Sequence, residues 1–369
     1  MNIPLSRPDI TQAERDAVIE VLNTPDLSLG PKLAEFERVF AEFTGAKYVT
    51  AVNSGTSGLH LCLHAISLGP GDEVITTPFS FSASANCALY EGARPVFADI
   101  DPETWNIDPA KIARAVTPKS RVIVPVDVFG QPADLDPILQ IANKNNICVI
   151  EDSCEALGAR YKGKPVGTQA DAALFAFYPN KQVTTGEGGI IVTNDENIYK
   201  IVVSCRNQGR DEHGGWLGHV RLGFNYRISD INCALGIAQM KRIDEILNSR
   251  RQVAEWYTRR INDEKRLRMQ KILPHCQISW FVMVVRLNDD YTRDDRDRIL
   301  KQLKEKGIGC SNYFPPIHLQ PFYVEKFGYQ RGDFPVCEAL SDRTIALPFH
   351  GRLTEQEVNT VCKTLADLL

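Results

Sequence analysis

The sequence predicts an α/β fold: a mostly parallel sheet of about seven strands in a large first domain, followed by a smaller α+β domain. Three observations predict it. Between residues 46 and 195, short runs rich in Val, Ile and Phe alternate with stretches of helical periodicity, as expected of strands covered on both faces by crossover helices. A length of 369 residues suits two domains. Hydrophobic residues at 43 % and charged residues at 24 % fit a globular chain and remove the compositional basis for disorder, collagen or a coiled coil.

In chain order, strands are predicted at residues 48–52, 73–77, 95–100, 121–128, 147–152, 172–178 and 189–193. Only residues 179–188 part the last two runs, too few for a helical crossover, so one antiparallel strand is expected there. A helical region follows over residues 229–261, with Ser229 and Asp230 as N-cap and first-turn residues. It links the domains, which are placed at residues 1–245 and 246–369. The second domain is read as a strand at 278–287, a helix opened by Thr292-Arg293-Asp294-Asp295, a short strand near Ile345, and a last helix opened by the capping box Thr354-Glu355-Gln356-Glu357.

Charge and cysteine usage narrow the function. With 42 basic and 46 acidic side chains the net charge is −4, which lacks the basic footprint of a nucleic-acid binder. The ten cysteines contain no CxxC pair, so they read as reduced core residues, with neither zinc spacing nor a disulfide framework. No metal site is predicted. The first residues contain no apolar leader, and no run of ~18 apolar residues occurs. A cytoplasmic chain without a membrane span is therefore expected.

Three features carry chemistry. Asn53-Ser54-Gly55-Thr56-Ser57-Gly58-Leu59 follows a strand and opens a helix, so its backbone N–H groups sit at the positive end of a helix dipole, where phosphate binds. The same residues also suit an empty tight turn. Glu151-Asp152 closes an apolar strand at the sheet edge where α/β ligands bind; a carboxylate there needs a partner or solvent. Lys181 lies between apolar runs beside the turn Thr184-Thr185-Gly186-Glu187-Gly188-Gly189. A lone loop lysine is ordinarily a solvated charge, but an amine held in a cleft can attack carbonyls. Phosphate cradle, carboxylate and lysine together are the parts that hold pyridoxal 5'-phosphate.

On these and further segments the chain resembles, from end to end, the DegT/DnrJ/EryC1/StrS sugar aminotransferases. The further matches include Leu27-Ser28-Leu29-Gly30-Pro31, Gly69-Pro70-Gly71-Asp72-Glu73-Val74, Gly130-Gln131-Pro132-Ala133-Asp134, Asn225-Tyr226-Arg227 and Pro316-Ile317-His318-Leu319. The resemblance implies fold type I and a pyridoxal 5'-phosphate cofactor, with pyridoxamine phosphate between two half-reactions. Lys181 would tether the cofactor and move the proton, and Asp152 would face the pyridine nitrogen. Gly55 and Thr56 would hold the phosphate, Phe81 would stack on the ring, and Asn225 would reach the phosphate of the neighbouring subunit, making a homodimer with shared active sites. Ser28, Tyr313, His318 and Arg227 would meet the substrate, with Arg7 and Lys32 as further candidates for its diphosphate by charge.

Two departures stand beside the likeness. Ala176 replaces the serine of many relatives, removing a hydroxyl from the phosphate, and Glu155 replaces their Gln or His, adding a carboxylate near the ring. The implied reaction moves an amino group from glutamate to a nucleotide-linked ketosugar; the Thr184–Gly189 turn is similar to that of members that aminate the 4-position. Two alternatives are a dehydratase that uses pyridoxamine phosphate and a non-catalytic protein that keeps the fold. Relatives of the dehydratase type carry His at the tether, where this chain has Lys181.

Overall fold

Seven strands form the central sheet, and each overlaps one of the predicted apolar runs, with β3 and β4 ending three and four residues before their runs do. They are β1 (Tyr48–Val52), β2 (Glu73–Thr76), β3 (Arg94–Phe97), β4 (Ser120–Val124), β5 (Cys148–Asp152), and then, after two short strands β6 (Arg160–Tyr161) and β7 (Lys164–Pro165), β8 (Ala172–Ala176) and β9 (Gly189–Thr193). The computed structural model describes residues 2–211 and 218–369. The spatial order is β1-β9-β8-β5-β4-β2-β3. Neighbours pair in parallel except β9, which runs antiparallel to both β1 and β8, the reversal expected from the short 179–188 connection.

Alternation along the strands sends side chains to two cores. Phe175 and Ile190 face one layer with Phe36 and Phe40 of α2 (Pro31–Thr44). Leu174 and Ile191 face the other, with Leu59 and Leu61 of α3 (Gly55–Ala65) and Val202 further along the chain. This two-sided burial explains why the strands read as continuous apolar runs. The sequence reading had no place for α2 or for α1 (Gln12–Leu22). The Asp230 carboxylate caps α2 from 200 residues away, accepting from Gly30 N–H and Lys32 N–H at 2.9 Å each, so the signal for that helix start is not local.

The helical stretch at 229–261 is two helices, Asp230–Lys241 capped by Ser229 and Ile243–Asn262, divided at Arg242. The second of these runs across residue 245, so the division placed there falls inside one helix. It packs, with the helices Arg293–Glu305 and Glu355–Leu368, over a three-stranded sheet of Leu267–Arg268, Met283–Leu287 and Thr344–Leu347. Ile3 belongs to that same core. The strand predicted at 278–287 is regular only from Met283, because Ser279 leaves the sheet direction to donate its N–H to Gly130 O at 2.9 Å. That departure carries Ser279 and Phe281 toward Gly130 and Lys181. Among the described residues no helix is long and apolar enough to cross a membrane.

Candidate active site

A cavity of about 740 Å³ opens beside the C-terminal ends of β5 and β8, the edge where α/β sheets bind ligands. Its lining includes Gly55, Thr56, Phe81, Asp152, Glu155, Ala176, Lys181 and Tyr313. Eight of the residues singled out in the sequence thus meet in one space.

The first turn of α3 forms one end. Ser54 caps it, accepting from Ser57 N–H at 3.1 Å, while Ser57 Oγ donates back to Asn53 Oδ1 at 2.7 Å. The N–H groups of Gly55 and Thr56, in the opening turn, have no intrahelical acceptor and are available to an anion. Gly55 is required by proximity: a Cβ there would lie 2.9 Å from Ala176 Cβ and 3.4 Å from Cys154 Sγ.

Asp152 ends β5 with its carboxylate on the cavity side, 5 % exposed. It accepts from Ser84 Oγ at 2.8 Å and from Cys154 N–H at 3.2 Å, and among the described residues it has no cationic partner. A buried anion so placed is completed by a cationic ligand group. Glu151, one residue earlier, faces the opposite side of the sheet, where Gly167 N–H donates to it at 2.8 Å. Burial raises its pKa to about 7, and burial likewise raises Asp127 beside it.

Lys181 follows a turn closed by its own N–H to Tyr178 O at 2.9 Å. Its Nζ lies 3.7 Å from Glu155 Oε1 and 4.2 Å from the centre of the Phe281 ring. Glu155 is held from behind, accepting from Phe129 N–H at 2.9 Å. Burial raises its pKa, with the Lys181 charge opposing. Tyr313 is also pushed up, by burial and then by the nearby Glu155 charge.

Five predicted residues lie elsewhere. His318 does not reach the cavity: it is fully buried, its Nε2 is 3.0 Å from Glu338 Oε1, and Phe334 and Tyr329 pack on its ring. It is a core histidine held through Nε2 alone, and it stands apart from the pocket to which the resemblance assigned it. Ser28, Asn225 and Arg227 do not line the cavity of their own chain. Ser28 is exposed and bridges Ser229, Asn225 is exposed and bridges Asn207, and Arg227 donates to Asn207 Oδ1 at 3.1 Å. Lys32 is taken by Glu20 and Glu35. Conversely, Ser84 and Phe281 were not anticipated. Each stands more than 65 residues from the group it touches and in a segment without a motif, so nothing local marks it.

Comparison with known proteins follows the same line. The DegT/DnrJ/EryC1/StrS aminotransferase family matches residues 8–366. The chain is 39 % identical over 372 residues to GDP-perosamine synthase of Caulobacter vibrioides, covering 100 % of this chain and 98 % of that one. It is 37 % identical over 377 residues to the spore coat polysaccharide biosynthesis protein SpsC of Bacillus subtilis, covering 100 % and 97 %. Among solved structures it is similar to Spr1654 of Streptococcus pneumoniae, described as a sugar aminotransferase, in its pyridoxal-phosphate form. That match has a TM-score of 0.94 and 29 % identity, and covers 100 % of this chain and 98 % of that one. The same protein is known in a pyridoxamine-phosphate form. The cavity fits that cofactor, with free N–H groups at one end, an unpaired buried carboxylate, and a lysine amine. The chain belongs to the DegT/DnrJ/EryC1/StrS family and is a pyridoxal-phosphate-dependent sugar aminotransferase.

Proposed function

We propose that the enzyme transfers an amino group from glutamate to the 4-keto position of a nucleotide-linked sugar, supplying an amino sugar for polysaccharide or other glycan synthesis. One observation carries this reading: Lys181 Nζ and the cation-free Asp152 carboxylate open on one cavity that begins at the α3 N-terminus. When bound, pyridoxal phosphate supplies the electron sink that makes the donor's α-proton acidic.

The chain's own residues do the rest. Gly55 and Thr56 N–H groups hold the phosphate, and Phe81, 65 % exposed at the mouth, covers one ring face. Asp152, positioned by Ser84, would face the ring nitrogen and favour its protonated form. Lys181 would tether the cofactor and, as a free amine, would act as the base that takes the proton from the donor carbon. Glu155 stays beside the freed amine. Tyr313 meets the sugar, and the partner subunit's Ser28, Asn225 and Arg227 complete the site in a homodimer. The Thr184–Gly189 turn favours the 4-position, and the presence of Lys181 favours transamination over dehydration.

Lys181→Ala should lose the visible absorbance of lysine-bound cofactor and all glutamate-dependent turnover. Wild-type turnover in that variant would overturn the reading. A panel of nucleotide 4- and 3-ketosugars with glutamate, read by product mass, tests regiochemistry and donor together.

A further inference from the structure

We propose that Arg250, from the helix that starts the second domain, is a positioning residue that fixes the Lys181 amine relative to the cavity. The inference rests on Lys181 being the reacting amine. Arg250 is 5 % exposed, and no carboxylate lies within ion-pair distance of it among the described residues. Its donors go to backbone carbonyls instead. Nη2 donates to Lys181 O at 2.8 Å and to Asn180 O at 3.5 Å, and Nη1 donates to Phe281 O at 3.2 Å.

These targets are not arbitrary. Phe281 is the residue whose ring centre lies 4.2 Å from Lys181 Nζ. One planar guanidinium therefore grips both the backbone root of the lysine and the backbone of the aromatic ring its amine rests on. Because the guanidinium fork is rigid, the two segments cannot slide past one another without breaking a hydrogen bond. The next residue is clamped from the other side: Gln182 Nε2 donates to Glu155 O at 2.6 Å and to Ser279 O at 3.2 Å. Lysine, Glu155 and Phe281 are thereby set at mutual distances by side chains that line no part of the cavity.

A purely structural role would not need this residue type. A buried cation without a counter-ion is costly, and an apolar side chain of similar size would fill the space without that cost. Burial lowers the Arg250 pKa only to about 10, so the group keeps its charge and its full set of donors at neutral pH. His350 nearby, pushed down to about 4 by burial and then by the Arg250 charge, adds no competing cation. The catalytic cycle gives the clamp a purpose. On the proposed reading the Lys181 amine would be freed and used again in every turnover, and small misplacements of a reacting group cost orders of magnitude in rate.

Arg250→Lys keeps a positive charge but cannot span both carbonyl sites. It should lower kcat roughly 10- to 100-fold with the donor KM changed by less than about twofold, shift the pH titration of the visible absorbance, and slow the uptake of pyridoxal phosphate by apoenzyme in step. In Arg250→Ala, guanidinium chloride should restore part of the lost rate, and sodium chloride should not. Variants that lose only thermal stability, with wild-type kcat, titration and uptake at temperatures where they are folded, would overturn the proposal. So would an absence of guanidinium rescue in a folded Arg250→Ala protein. Both results leave the role of Lys181 intact, because that role stands on the separate loss of absorbance in Lys181→Ala.

Discussion

Ala176 sets a methyl group where the phosphate end of the cavity meets the α3 turn, against the glycine that admits no side chain of its own. Restoring a hydroxyl there adds one charge-assisted hydrogen bond to the bound phosphate, on the order of 1 kcal/mol. Ala176→Ser should therefore bind pyridoxal phosphate about fivefold more tightly, read by titrating apoenzyme with cofactor. Unchanged or weaker binding would show that residue 176 does not face the phosphate. At this scale Gly55, Thr56, Asp152 and Lys181 were legible because each sits at a strand end or in a small-residue turn that has a meaning of its own. His318 was misread for the converse reason. A histidine in a recognisable segment looks the same in sequence whether it faces a pocket or Glu338.

At the scale of the element, β5 separates two acids by the alternation of a strand. Asp152 turns to the cavity, whereas Glu151 turns into the sheet's other face beside Asp127. Burial raises Glu151 from 4.5 to about 7, so between those values the folded protein holds a proton that the unfolded chain has released. That contribution is fully present below the unfolded pKa and is lost as pH rises through about 7. Glu151→Gln should thus be more stable than wild type near pH 8, on the order of 3 kcal/mol by linkage, with most of the advantage gone near pH 5. Urea unfolding at the two pH values checks this; an advantage that persists undiminished at acid pH contradicts it. Strands were legible as elements because burial on both faces makes them continuous apolar runs. Residues 278–282 were not, because the long-range Ser279–Gly130 hydrogen bond overrides their local β pattern.

Across the whole molecule, Ser28 and Asn225 are exposed outside the cavity, and Phe81, Tyr178 and Leu222 expose 65, 52 and 79 % of themselves. We propose that a second copy covers them and brings its Asn225 to the phosphate, with each chain organised as domains 1–245 and 246–369 around the helix Ile243–Asn262. If so, Lys181→Ala and Asn225→Ala proteins, each largely inactive alone, should complement when mixed and allowed to exchange subunits. Half the dimers are then mixed, and one site in each has both groups, so activity should recover to about a quarter of wild type. No recovery despite demonstrated exchange would place Asn225 in its own subunit's site.

The sequence by itself determined the sheet, its one reversed strand and most of the residues that meet in one cavity, since strand burial, short connections and strand-end motifs are written in consecutive residues. Tertiary structure alone decided that Ser84 and Phe281 attend the cavity, that His318 does not, and that Arg250 grips the lysine turn. Those relations join residues tens to hundreds of positions apart. Their hydrogen bonds and packing exist only once the chain has folded, and no local pattern encodes them.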